Sequence, residues 1–199
     1  MNCRGEMKRM EIYEKYPFVV VLHFSTKNEI QSDAGGKITS EYFVFYFRKD
    51  KEKEWTEKVI CGRPTAKKFC QLYDIEMPQI FNPFVSEQKG GGSSSKGTED
   101  DDYWNPTCKQ LYNVVMIFLK LHGDQYNKVP IDILNQINKN HGDNYKKENI
   151  KSINTFYKKC KTTAKNDIRI LEGQGECKQY KFDLLINYLL EEKTTQYLE

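Results

Sequence analysis

Residues 146–165, KKENIKSINTFYKKCKTTAK, predict one helix with two distinct faces. Apolar side chains recur at intervals of three and four residues, which places them on one side of a helix. They are Ile150, Ile153, Tyr157 and Cys160. A second set lies roughly a third of a turn away from the first. Its members are Lys147, Lys151, Asn154, Lys158, Lys161 and Lys165. The first face is expected to pack on a core, and the second to meet solvent or phosphate.

Positive charge is concentrated in this helix. It holds seven lysines and one acid, Glu148, a net charge of +6, whereas the whole chain of 199 residues carries +3. Concentration of charge on one element of a balanced protein is typical of nucleic-acid binding. The alternative explanation is a solvated helix face in a lysine-rich protein.

Two further helices are predicted before this one. Thr107 and Gln110 form a capping-box pattern at the start of the apolar run from Leu111 to Leu119, and Gly123 is expected to end that helix. Pro130 suits the first position of a second helix, which Gly142 would end. A histidine precedes each of these glycines and an aspartate follows it, but helix-ending glycines explain the repetition, so no metal site is predicted.

The spacing of apolar residues along the sequence changes after Asn166. Residues 168–172 and 177–182 alternate in polarity on either side of Gly173-Gln174-Gly175, which predicts a hairpin, and a last helix is expected from Phe182 to Leu190. The order helix, helix, helix, hairpin resembles the winged-helix variant of the helix-turn-helix.

The winged-helix resemblance implies that the third helix enters the major groove of DNA and that the hairpin is the wing. Lys178 and Lys181 would then be wing residues near phosphate. The tip of this wing, Glu172 to Glu176, holds two acids and no base, which counts against contact between the tip and phosphate.

The N-terminal half predicts a small α+β domain. Strands are expected over residues 18–24, 42–47 and 54–61, and Arg63-Pro64 begins a helix. One helix cannot cover both faces of so apolar a sheet. The second face is expected to pack against residues 6–16, the C-terminal half, a second copy or another protein.

Composition divides the chain into two domains and a linker. Residues 90–103 contain GGGSSS followed by EDDD, which predicts a flexible linker between an N-terminal domain of residues 1–89 and a winged-helix domain of residues 104–199. The whole chain is therefore assigned to the α+β class.

Catalysis and cofactors find little support in the sequence. The six cysteines form no C-x-x-C pair, and no cofactor or metal is expected. A metal-dependent nuclease using Asp33 and Glu41 with Lys49 or Lys51 is disfavoured, because no Asp/Glu-x-Lys triplet follows Glu41. No apolar run has transmembrane length and no signal-peptide pattern occurs, so an intracellular location, cytoplasm or nucleus, is expected without a membrane partner.

The resulting hypothesis is a non-enzymatic protein that binds double-stranded DNA. Its N-terminal sheet would form a homodimer or bind a protein partner. The predicted DNA-contacting residues are Lys146, Lys147, Lys151, Asn154, Lys158, Lys161, Lys165, Lys178 and Lys181. Asn154 is expected to contact a base, because an amide can pair bidentately with adenine. The alternative is an assembly adaptor whose winged helix and aromatic sheet bind other proteins.

Overall fold

A computed structural model describes residues 1–51, 54–85, 104–124, 128–139 and 146–199. The chain divides into two compact units, Met1–Pro83 and Phe84–Glu199. The predicted linker, residues 90–103, lies outside the described residues. The mixture of helices with a small antiparallel sheet confirms the α+β class.

The first unit holds a three-stranded sheet, a two-stranded hairpin and two helices. Its elements are α1 (Glu6–Lys15), β1 (Phe18–Ser25), β2 (Ile30–Gln31), β3 (Lys37–Ile38), β4 (Glu41–Arg48), β5 (Glu57–Cys61) and α2 (Arg63–Tyr73). The sheet is antiparallel in the order β1-β4-β5, and β2 pairs with β3. The three predicted strands and the predicted helix are confirmed.

Helices α1 and α2 pack on the same face of this sheet. Phe43, Phe45 and Phe47 of β4 form a buried cluster with residues of both helices, including Ile12 and Phe69. Of the four candidates for covering the second face, residues 6–16 are therefore ruled out, because they pack on the same face as α2.

The opposite face of β4 is also buried. It carries Tyr42, Val44 and Tyr46, and at one end Phe24 and Phe81 pack edge-on with ring centroids 6.3 Å apart. Both faces of β4 are therefore buried. The predicted binding of a partner through an aromatic sheet face finds no exposed aromatic surface on this strand.

The second unit is helical. Its elements are α3 (Pro106–His122), α4 (Lys128–Lys139), α5 (Lys147–Lys159), α6 (Ala164–Glu172) and α7 (Asp183–Glu191). Helix α3 contacts each of the other four, and its buried side chains lie on most of its circumference. A helix that is apolar on most sides must be surrounded. None of the described helices of the chain combines the length and apolar character needed to cross a bilayer.

The caps of α3 and α7 differ from the capping-box prediction. The side chain of Asn105 accepts hydrogen bonds from the backbone N–H groups of Thr107 and Cys108, at 2.9 and 3.3 Å, so Asn105 rather than Thr107 is the N-cap. Gln110 instead accepts from the backbone N–H of Leu184, at 3.0 Å, and thereby caps α7. The predicted end of α4 at Gly142 lies outside the described residues.

The predicted hairpin after Asn166 is wrong. Residues 164–172 form α6, with the Thr163 side chain as N-cap, and its buried residues Ala164, Asp167 and Leu171 follow helical spacing. Residues 173–182 contain no strand, only one bridge between Cys177 and Phe84. The described part of the second unit therefore has a helix where a winged helix would have the first strand of its wing.

Replacing Phe118 with Ala tests the dependence of the second unit on α3. Phe118 is fully buried, and its ring centroid lies 5.0 Å from that of Tyr157 on α5. We expect Phe118→Ala to lower the free energy of unfolding by about 3–5 kcal/mol, measured by urea denaturation and circular dichroism. Leu190→Ala, at an exposed position, is the control. Equal effects of the two substitutions would contradict this packing.

Candidate nucleic-acid interface

The core face of α5 is confirmed. Ile150, Ile153 and Tyr157 are fully buried, while Cys160 lies at the end of the helix and is half-buried. The Tyr157 hydroxyl donates to the backbone carbonyl of Val114 on α3 at 3.4 Å. Burial raises the pKa of this hydroxyl well above its usual value. This contact fixes the rotation of α5 and therefore the direction of its second face.

The first half of the lysine face lies against α7. Lys147 and Lys151 place their Nζ atoms 5.4 and 5.8 Å from the ring centroid of Tyr188. Lys151 also forms an ion pair with Glu192 at 2.7 Å. The pKa of Glu192 is lowered, chiefly by its hydrogen bond from Lys151. Lys151 is therefore already paired with an anion inside its own chain.

Asn154 is buried and hydrogen-bonded within its own chain. Its side chain is 3% exposed. Its amide nitrogen donates to the backbone carbonyl of Thr195 and its amide oxygen accepts from the backbone N–H of Tyr197, both at 2.8 Å. One N–H of this amide and its oxygen each have a partner, so the predicted contact with adenine would require these two bonds to break.

The remaining cations gather around the turn between α5 and α6. We call this set the turn cluster, and its members are Lys158, Lys159, Lys161, Lys165 and Arg169, all of which are exposed. Lys161 adopts a left-handed backbone with φ of 53°, and the next residue donates its N–H to the carbonyl of Tyr157 at 3.2 Å. This tight turn places Lys165 in the first turn of α6 and Arg169 one helical turn further on.

The turn cluster has few internal partners. Within the described ranges, no carboxylate comes within 4.0 Å of any of its five charged groups. Lys159 contacts the ring of Phe156, with Nζ 4.9 Å from its centroid. The acid nearest in sequence, Asp167, is fully buried and lies 2.9 Å from Nε2 of His122. Among the residues that the structure describes, this surface therefore has positive charge without an acidic partner.

Sequence reasoning missed two members of this set. Lys159 lies between the two predicted faces, and Arg169 lies in a segment that was predicted as a hairpin strand and is part of α6. Helical spacing from Lys165 to Arg169 is the signal that would have revealed the second.

The other predicted residues lie apart from the turn cluster. Lys146 is the N-cap of α5 and is exposed at the opposite end of that helix. Lys178 and Lys181 are exposed in the segment that lacks a wing. The pKa of Lys109 on α3 is lowered, chiefly by desolvation and also by the charge of Lys178. Lys178 therefore lies near Lys109 on α3.

The first unit holds a separate polar cluster. Glu41 accepts hydrogen bonds from Arg63, at 2.5 and 3.0 Å, and lies 3.1 Å from Nε2 of His23. The hydrogen bond from Arg63 is the largest cause of the lowered pKa of Glu41. Nδ1 of His23 lies 3.1 Å from the carbonyl of Pro78, which can only accept, so this nitrogen carries a proton. The cluster ties the segment after α2 to the sheet.

The two carboxylates considered for a metal nuclease are each bound to other groups. Asp33 accepts from the backbone N–H of Ile60 at 2.7 Å, while Glu41 is held by Arg63. Among the residues described by the structure, no three His, Cys, Asp or Glu side chains are grouped so that they could hold a metal ion.

Replacing Asn154 with Ala tests its role as a clamp. The substitution leaves the Thr195 carbonyl and the Tyr197 N–H without their partner, so we expect the free energy of unfolding to fall by about 1–3 kcal/mol. Asn187→Ala, at an exposed position on α7, should change it by less than about 0.5 kcal/mol. Urea denaturation of the full chain measures both. Unchanged stability of Asn154→Ala would contradict the clamp.

The Glu41 cluster predicts a pH dependence with a definite sign. Because the folded pKa of Glu41 is lowered, its contribution to stability is present above the unfolded pKa of about 4.3 and is lost as the pH falls through the folded value. At neutral pH we expect Glu41→Gln to lower the free energy of unfolding by about 1 kcal/mol. The effect is small because Arg63 is half exposed and solvent screens its ion pair.

The loss caused by Glu41→Gln should shrink as the pH is lowered below about 4. Urea denaturation over a pH series measures it, with Glu14→Gln as an exposed control. A constant difference between wild type and Glu41→Gln at every pH would be inconsistent with this cluster.

Comparisons with protein-family models, curated proteins and solved structures found no match. Within the described ranges, the turn cluster gathers five exposed cations for which no carboxylate lies within ion-pair distance.

Proposed function

We propose that the second unit binds double-stranded DNA by contacting phosphates through the turn cluster. The observation that carries the proposal is the accumulation of five exposed cations on one short stretch, residues 158–169, without a described carboxylate partner. The whole chain carries only +3. Attraction to a polyanion is therefore expected to be local to this surface.

The proposed contact is with the backbone of the duplex and not with its bases. The amide best suited to read a base, Asn154, is engaged by backbone groups of Thr195 and Tyr197. Four of the five members of the turn cluster are lysines, which act as point charges on phosphate. Binding by such a surface is independent of sequence and weak at physiological salt, with a dissociation constant of about 10⁻⁴ to 10⁻⁶ M.

A protein partner is a second candidate for the first unit, and a separate observation favours it. Helix α1 exposes Met7, Met10 and Tyr13, which recur every three residues along one side. Met7 is 81% exposed. Methionine adapts to irregular apolar surfaces and is common at protein-binding sites. An adaptor role through α1 is compatible with DNA contact through the second unit.

A charge-reversal experiment tests the DNA proposal. Fluorescence anisotropy of a labelled duplex of about two helical turns, ~20 base pairs, is measured with the full chain. If about four phosphates are neutralised, the logarithm of the binding constant should fall with the logarithm of salt concentration with a slope of about −4. We expect Lys158→Glu with Lys161→Glu to weaken binding by at least about tenfold at low salt.

The matched control reverses two other exposed lysines. Lys67→Glu with Lys68→Glu on α2 changes the net charge by the same amount at a site in the first unit. Equal weakening by the two double variants would mean that only total charge matters and would refute the interface. A slope near zero would refute phosphate contact itself.

A further inference from the structure

The chain after α7 turns back over α5. We call residues 192–199 the return segment. Lys193 adopts a left-handed backbone with φ of 52°, and the next residue, Thr194, donates its N–H to the carbonyl of Leu189 at 2.9 Å. The reversal directs the following residues toward α5, where Asn154 binds them.

Three hydrogen bonds to its backbone hold the return segment in place. Two join Asn154 to the Thr195 carbonyl and the Tyr197 N–H. The third runs from the N–H of Ala164, at the start of α6, to the carbonyl of Tyr197 at 2.9 Å. Leu198 is buried, so an apolar side chain anchors the end of the segment. The segment therefore covers the middle of the face on which lysines recur along α5.

The chemistry of these contacts matches that of the ligand proposed for the second unit. The Glu192 carboxylate lies 2.7 Å from Lys151 Nζ, where a phosphate oxygen would lie in a complex. An anion from the chain itself thus occupies the position that a phosphate would take on Lys151.

We propose that the return segment is an internal competitor of nucleic acid on α5. With the segment in place, a duplex contacts the turn cluster while Glu192 holds Lys151. When the segment is displaced, Lys151 loses this ion pair and becomes available, and the contact extends along α5. The inference rests on the proposed function, and the apparent affinity should scale with the fraction of molecules in which the segment is displaced.

Two substitutions loosen the segment without altering α5. Tyr197→Pro removes the N–H that Asn154 accepts. Glu192→Gln removes the competing charge, and Glu191→Gln is its matched control. Glu191 is exposed beside it with no ion pair among the residues described, and its substitution changes the net charge equally.

Anisotropy with the ~20-base-pair duplex and the full chain gives the first readout. We expect Tyr197→Pro to bind about fivefold more tightly than wild type, and Glu192→Gln about threefold more tightly than Glu191→Gln. Equal affinities of Glu192→Gln and Glu191→Gln would overturn the competition, even if Tyr197→Pro failed to fold.

Hydrogen exchange gives the second readout. Adding the duplex to wild-type protein should speed amide exchange at Tyr197, because displacement breaks the hydrogen bond between the Tyr197 N–H and the Asn154 side chain. Unchanged or slower exchange in the bound protein would overturn the inference.

These outcomes separate the inference from the proposed function. If wild type binds, and binding is lost on Lys158→Glu with Lys161→Glu but not tightened by either loosening substitution, the competitor is rejected and DNA contact stands. If neither wild type nor Tyr197→Pro binds the duplex at low salt, both are rejected.

Discussion

Burial of α3 is the constraint on which the second unit depends. This helix buries side chains around most of its circumference, so a single partner could not keep it from water. Helices α4, α5, α6 and α7 each contact it. The same demand accounts for the helical state of residues 164–172, where Ala164, Asp167 and Leu171 are all buried. A polar hairpin at this position would leave that side of α3 without an apolar cover.

The candidate interface is a surface that remains exposed after the helices have packed on α3. One face of α5 is held by α3, and the first half of its lysine face is held by α7 and the return segment. Beyond residue 157 the basic surface is exposed and has no described carboxylate partner, and the turn into α6 adds Lys165 and Arg169 to it. The surface thus belongs to the turn between two helices and not to one recognition helix. A phosphate-contacting role follows more naturally from this position than base recognition does.

Sequence reasoning succeeded where a local pattern has one structural explanation. The continuous apolar runs at 18–24 and 42–47 became β1 and β4, and the spacing of Ile150, Ile153 and Tyr157 gave the core face of α5. It failed at residues 168–172 because apolar residues there also fit helical spacing: Ala164, Ile168 and Leu171 are four and three positions apart. It failed at Asn154 because the partners are backbone groups about forty positions later, which leave no mark on local spacing.

The most direct test of the account is where on the chain a duplex binds. Amide chemical shifts of the isotope-labelled full chain, followed by NMR during titration with the ~20-base-pair duplex, report this residue by residue. The account predicts that the largest changes occur at residues 158–169, with Phe43–Phe47 of β4 unaffected. Changes centred on the first unit, or no changes at low salt, would contradict it.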